Sequence, residues 1–220
     1  MRFCAGAFTP PSKDNLLYNI NMKDIVFDLG AVLIDWNPRY LYRKIFADEK
    51  ETERFLTEVC PMSWNVEMDG GKPFVQGCQE RTKLFPQYAA QINAYDTRWA
   101  EMLGGAIEGT VQILRELKQK GHRVYALSNW SAEKFPLAKA KFPFLNEFDG
   151  LVISGKEKCV KPQPKIFQML LSRYHLQAQN CIFIDDNPDN IKGAQTLGFD
   201  TVLFTSPENL RAALRQRGVL

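Results

Sequence analysis

The stretch DIVFDLGAVLIDW, residues 24–36, decides how this chain is read. An apolar run ends on Asp28, a glycine follows at position 30, and a second apolar run begins at once. Residues 23–28, KDIVFD, have the length and β-rich composition of a buried strand. The pattern sets two questions: why such a strand ends on a carboxylate, and why Gly30 stands two places later.

Comparable strands come much later, in HRVYAL (122–127), DGLVIS (149–154), CIFID (181–185) and DTVLF (200–204). Between and after them lie helical patterns. In GTVQILRELKQKG (109–121), Val111, Leu114 and Leu117 share one face and Gly121 marks the stop. PKIFQMLLSRYHL (164–176) and PDNIKGAQTLG (188–198) follow, and SPENLRAALRQRG (206–218) offers Ser206 as N-cap, Pro207 at the first helical position and Gly218 past the end. Alternating strands and helices predict an α/β fold, a doubly wound and mostly parallel sheet with helices on both faces.

Residues 37–104 break the alternation with helical patterns alone: NPRYLYRKIF with Asn37 capping and Pro38 at the first position, DEKETERFLTEVC, and PQYAAQINAYDTRWAEML. The chain therefore divides into residues 1–21 as an N-terminal extension, 22–36 with 105–220 as an α/β core domain, and 37–104 as an all-helical insert after the first strand. Residues 1–21 contain a Pro-Pro pair and no signal-peptide pattern, and are expected to add little to the core.

At 220 residues the chain is long enough to bury a substantial core. Lys and Arg number 28 against 25 Asp and Glu, and the net charge of +3 is spread too evenly for a nucleic-acid surface. Five cysteines without a C-x-x-C pair fit reduced thiols and a cytoplasmic location. Two distant histidines make no zinc site, and no apolar run reaches the roughly 18 residues of a membrane span. No nucleic-acid or membrane partner is expected, and oligomeric state leaves no signal.

Ligands of open α/β sheets bind at the carboxyl ends of the strands. There the chain places Asp28, Ser128 with Asn129, and the pair Asp185 and Asp186, while Lys161 precedes the helix of KPQPKIF. Neighbouring carboxylates in a dry crevice repel unless a cation lies among them, and a donor set made only of oxygens points to Mg²⁺.

The segments FDLGAVLID, ALSNWS, KPQPKIF and IDDNPDNIKGA resemble, in order, the four motifs of the haloacid dehalogenase superfamily, from Lys23 onward. The helical insert resembles that superfamily's helical cap. The D-x-G opening and D-D-N-x-D-N close are most similar to a bacterial branch that includes a glucose-1-phosphate phosphatase. The resemblance implies that Asp28 is the nucleophile that becomes an aspartyl phosphate. It further implies that Ser128 binds the phosphoryl oxygens, that Lys161 offsets their charge, and that Mg²⁺ is held by Asp28, the Gly30 carbonyl and Asp186. Asn129 either touches substrate or caps the helix that begins in SAEKF.

The chain departs from the family pattern at two positions. Most phosphatases of the superfamily carry an acid where Gly30 stands, and a second aspartate where Asn190 stands, so that Asp185 or Asp189 is left to support the metal. Lacking the acid, the chain is expected to favour phosphates with good leaving groups, with Asp35, Asp189 or a residue of the helical insert as substitute donors. Asp35 is read first as a residue of the junction with the insert. Trp64, Trp99, Tyr40 and Tyr95 are read as core. The expected function is a Mg²⁺-dependent phosphatase for a small phosphorylated metabolite, sugar phosphates included. The alternatives are a metal-free 2-haloacid dehalogenase, for which Arg39 and Arg43 would serve halide, and a catalytically weak phospho-ligand binding or regulatory protein.

Overall fold

The computed structural model describes residues 22–220, so the expected extension at 1–21 lies outside the described residues. β1 (Asp24–Phe27) is the central strand of a five-stranded sheet. The chain then forms β2 (Ile34–Trp36) and passes through the helices α1 (Arg39–Tyr42), α2 (Glu49–Arg54), α3 (Met62–Asp69), α4 (Phe74–Leu84) and α5 (Ala89–Thr97). It returns along β3 (Leu103–Ala106), which pairs antiparallel with β2. Thereafter strand and helix alternate: α6 (Glu108–Gln119), β4 (Val124–Ser128), α7 (Phe135–Lys141), β5 (Gly150–Ile153), the short α8 (Ser154–Glu157), α9 (Pro164–Tyr174), β6 (Cys181–Asp185), α10 (Pro188–Gln195), β7 (Asp200–Leu203) and α11 (Pro207–Gln216).

The sheet order is β5-β4-β1-β6-β7, with every pairing parallel. Both faces are covered, so successive strand residues enter different cores. Ile25, Phe27, Val124, Ala126, Ile182 and Ile184 face the core that includes Val111, Leu114 and Leu117 of α6 and Leu210 and Leu214 of α11. Val26, Tyr125, Leu127, Cys181 and Phe183 face Ile166, Phe167 and Leu170 of α9 and Ile191 and Ala194 of α10. Ser206 caps α11 as expected, accepting from the Asn209 amide at 3.2 Å. Gly121 and Gly218 take positive φ angles of 90° and 69° behind α6 and α11, a conformation that glycine adopts without steric cost.

Two local features differ from expectation. The β2–β3 ribbon is hidden in the sequence, because Ile34–Trp36 continues an apolar run and Gly104-Gly105 has poor strand propensity. Gly104 is nonetheless required there, since a Cβ would lie 2.6 Å from Asp35 Oδ2. The helix expected over 37–46 is a single turn, Arg39–Tyr42. Asn37 still caps it, its Oδ1 accepting from the Arg39 amide at 3.0 Å.

The helical segment has an aromatic interior continuous with one core of the sheet. Tyr42 packs on Phe55 at 4.6 Å between ring centroids, and Trp64 meets Tyr95 edge-on at 4.9 Å, so Trp64 and Tyr95 are core as expected. Among the described residues no helix is long and apolar enough to cross a membrane.

Phe167 tests the other core, where it packs edge-on against Phe183 at 5.4 Å and beside Phe199 at 5.9 Å with no exposure. Phe167→Ala should cost about 3–5 kcal/mol in a denaturant titration, the usual result of emptying an aromatic site in a packed core.

Candidate active site

The sheet register brings the site together. Phe27 pairs with Ile184 on one side and Ala126 on the other, so the chain just beyond β1 lies beside the ends of both neighbouring strands. The Asp28 amide continues the ladder to the Ile184 carbonyl at 2.8 Å. Asp28, Ser128 and Asp185 therefore converge because three adjacent parallel strands stop at one level.

Asp28 Oδ1 accepts hydrogen bonds from the Leu29 amide at 2.7 Å and from Ser128 Oγ at 2.6 Å, and forms an ion pair with Lys161 Nζ at 3.0 Å. No described side chain or amide donates to Oδ2, which keeps its lone pairs free. Lys161 also donates to Asp185 Oδ2 at 2.6 Å, and neither of those side chains is exposed. Asp185 is saturated, its Oδ1 accepting from the Asn187 amide at 2.8 Å while Asn190 Nδ2 reaches both its oxygens at 3.0 and 3.1 Å. Asn190 thus takes the position expected of a second aspartate and turns it into a donor that holds Asp185.

Asn129 has a role that its sequence context did not indicate. Its Oδ1 accepts from the Lys161 amide at 2.8 Å and its Nδ2 donates to the Lys161 carbonyl at 3.0 Å. The helix of that region begins only at Phe135, so Asn129 does not cap it. Its amide clamps the main chain that carries the lysine, and the residue also lines the cavity above.

Charge at this point is unbalanced. One oxygen each of Asp28, Asp185 and Asp186 lie within 4.8 Å of one another, against the single Lys161 ammonium. Burial pushes the Asp28 carboxyl up to about 7; Lys161 opposes this, Asp185 and Asp186 add to it, and the Ser128 hydrogen bond pulls it down. Burial would depress Lys161, but Asp28 and Asp185 outweigh it and hold the ammonium above its ordinary range. Asp186, on the exposed side of the group, is raised by burial and by Asp185. An oxygen-only set with surplus negative charge fits a hard divalent cation such as Mg²⁺. Asp189 is exposed and stands outside this group.

Gly30 lines the cavity and answers one of the opening questions. A Cβ there would meet nothing within 4 Å, and the positive φ in this turn, 57°, belongs to Ala31. Neither backbone nor packing compels glycine at position 30. A side chain is absent where there is room for one.

Over these strand ends lies a cavity of about 210 Å³. Its floor is Asp28, Asp186, Asn129, Asn187 and Asn190, and α3 with the chain after α5 supply Met62, Asn65, Val66, Asp69 and Trp99. Trp36 and Trp130 complete an apolar wall. Trp99 is buried core as expected, packing edge-on against Trp130 at 5.7 Å, and it also borders the cavity. Asp69 went unnoticed in the sequence because no motif or period marks it, and Trp36 and Trp130, although inside the quoted segments, carried no signal of a place in the cavity wall. Asp35 is turned toward the Tyr40 hydroxyl on the β2–β3 ribbon and does not line the cavity. Arg39 and Arg43 are bound to Glu53 and Glu49, and among the described residues no arginine lines the cavity.

A parallel α/β sheet whose central strands end in this acidic group, with a lysine from a neighbouring loop set against it, is the architecture of a family of hydrolases. The chain belongs to the haloacid dehalogenase-like hydrolases, whose family model matches residues 22–198. It is 26% identical over 200 residues to a sesquiterpene phosphatase of Aspergillus oryzae, covering 88% of this chain and 95% of that protein. It is also 26% identical to a D-ribitol-5-phosphate phosphatase of Bacteroides thetaiotaomicron, covering 86% and 93% respectively. Its fold is similar to a HAD family enzyme of Bacteroides thetaiotaomicron solved in complex with magnesium and inorganic phosphate. That match has a TM-score of 0.64 and 24% identity, covering 84% of this chain and 95% of that one.

Asp185→Asn keeps the shape of the buried pair and removes one of the charges facing Lys161. It should destabilise the protein by about 1–3 kcal/mol in a denaturant titration, because an amide NH₂ is set among the donors Lys161 Nζ, the Asn187 amide and Asn190 Nδ2, while Lys161 stays paired with Asp28. Asp200→Asn, at the exposed pair with Arg217, should change stability by less than about 1 kcal/mol.

Proposed function

We propose that the protein is a Mg²⁺-dependent phosphatase of small phosphorylated metabolites that works through an aspartyl phosphate on Asp28. The observation that carries this reading is the geometry of Asp28: one oxygen fixed by two hydrogen bonds and an ion pair, the other free beneath the cavity. A nucleophile must be held still with a lone pair available, and phosphoryl transfer consists largely of such positioning and of charge stabilisation.

Asp28 Oδ2 attacks phosphorus, and the ester P–O bond breaks with its electron pair leaving on the alcohol oxygen. As substrate binds, the Ser128 hydroxyl turns its one proton from Asp28 Oδ1 to a phosphoryl oxygen, and Lys161 offsets the charge gathered on phosphate and carboxylate. Asn129 serves substrate chiefly by fixing Lys161 through its main chain. Water then attacks the phosphorus of the acyl phosphate, releasing inorganic phosphate and restoring Asp28. Asp28, the Gly30 carbonyl and Asp186 would hold Mg²⁺, which supplies charge neutralisation at the phosphoryl oxygens. Residues 37–104 act as a cap on the core formed by 22–36 and 105–220, shutting water out of the cavity during transfer.

The named activities of the two relatives, a sesquiterpene phosphatase and a ribitol-5-phosphate phosphatase, support the phosphatase reading. The wall of Trp36, Trp99 and Trp130 suits a leaving group with an apolar face, which includes the C–H face of a sugar. The dehalogenase alternative is disfavoured by the acidic group and by Arg39 and Arg43 being paired elsewhere.

Purified protein should release inorganic phosphate from phosphate esters in the presence of Mg²⁺, and lose that activity in excess EDTA. Asp28→Asn should abolish turnover with little change in melting temperature, because the amide fills the same space without acting as a nucleophile. Full activity under EDTA, or halide release from 2-haloacids, would overturn the reading.

A further inference from the structure

Phosphate ester cleavage leaves an alkoxide unless a proton arrives with bond breaking, and position 30 offers no acid. Among the described residues three ionisable side chains line the cavity: Asp28, Asp186 and Asp69. The first two belong to the acidic group on the floor. Asp69 is the last residue of α3 and faces the same cavity from the opposite side.

We propose that Asp69 protonates the departing oxygen, so that the helical segment supplies the acid that position 30 lacks; the assignment rests on the phosphatase reading above. Two sets of contacts fix Asp69 in place. Asn65, one helical turn earlier, donates from Nδ2 to Asp69 Oδ2 at 2.8 Å, and Tyr95 holds Asn65 by donating to its Oδ1 at 3.1 Å. The Asp69 carbonyl accepts from Ser154 Oγ at 2.6 Å, tying the end of α3 to the core beside Trp130. Asp69 is only 9% exposed, so the carboxyl is held where water has little access. Burial pushes it up to about 7; a main-chain hydrogen bond from Ser131 pulls the other way, and the Asp28 charge adds to the rise. A carboxyl in this range can both give and take a proton near neutrality.

The proton balance closes over one turnover. As Asp28 Oδ2 bonds to phosphorus, the ester oxygen leaves with its electron pair and takes the Asp69 proton. The carboxylate so formed accepts a proton from the water that attacks the aspartyl phosphate. The P–O bond to Asp28 breaks, phosphate departs, and Asp69 is protonated again. Gly30 then reflects a proton donor moved to the other wall of the cavity, and the preference for good leaving groups is weaker than Gly30 alone predicts.

The test is kcat/KM for a series of phosphate monoesters of rising leaving-group pKa, with Mg²⁺, for wild type and Asp69→Asn. Nitrophenolate leaves without a proton and an alkoxide does not. The variant should therefore lose less than about tenfold on 4-nitrophenyl phosphate and about 10² to 10⁴ on alkyl phosphates, the usual worth of a positioned acid. An equal loss on every ester would make Asp69 a structural anchor, and no loss on alkyl phosphates would remove it from the chemistry. Should the variant fail to fold, as read from its melting curve, the wild type decides. With chemistry rate-limiting, a shallow dependence on leaving-group pKa supports the assignment and a steep one overturns it. Turnover of 4-nitrophenyl phosphate by wild type, lost in Asp28→Asn, tests the phosphatase reading separately. Without that turnover the reading fails and the assignment falls with it.

Discussion

A single ammonium group organises the centre of this molecule. Lys161 lies with no exposure between Asp28 and Asp185, and an unpaired charge there would be prohibitively costly. The surroundings are arranged to keep it paired. Parallel register sets the two carboxylates on either side, Asn129 holds the lysine main chain by both its amide and its carbonyl, and Asn190 and the Asn187 amide fix the far side of Asp185. Removing any one of these leaves a buried charge or donor unsatisfied, so the floor of the cavity is rigid. For the nucleophile proposed at Asp28 such rigidity matters, since misplacement of the order of 1 Å can cost about a hundredfold in rate.

The sheet was legible because its strands are buried on both faces and separated by well-marked helices. Val111, Leu114 and Leu117, the Ser206 cap and Gly218 behind α11 are local signals, and local signals survive into the fold. Asp28, Ser128, Asp185 and Asp186 were legible as neighbours for a related reason: each lies at or beside a strand end, where sequence order fixes spatial order, whereas Lys161, in a loop before α9, was marked by the segment KPQPKIF. The β2–β3 ribbon was not, because Gly104 is placed there by the closeness of Asp35, a contact between residues far apart in the chain. Asp69 stayed hidden for the same reason. Nothing in MDGG announces that α3 ends at the cavity, and the ties that hold it there, from Ser154 to the Asp69 carbonyl and from Asn65 to the Asp69 carboxyl, are made by folding. The direction of the Asn129 amide, toward Lys161, also depends on a loop closing from more than thirty residues away.

The cavity joins two kinds of surface. Its floor is polar and fixed by the sheet, while its upper wall is contributed by Met62, Val66 and Trp99 of the helical segment. The acidic group is thus set by strand ends, while the upper wall is built from residues that no strand constrains. Trp36 and Trp130 lie at the seam between the two, with Trp130 packed on Trp99 from across it.

The β2–β3 ribbon has a consequence in polymer terms. The chain leaves the sheet along β2 and comes back along β3, and paired strands lie only about 4.8 Å apart. To the sheet, everything between those strands is one closed loop whose ends are already together. Closure entropy grows only with the logarithm of loop length, so a tenfold longer excursion costs about 2 kcal/mol. A hydrogen-bonded pair of short strands with one side chain lodged against a glycine can thus pin an entire helical assembly at little thermodynamic cost. The length and content of that assembly are free to drift while the strand ends beneath it stay as they are.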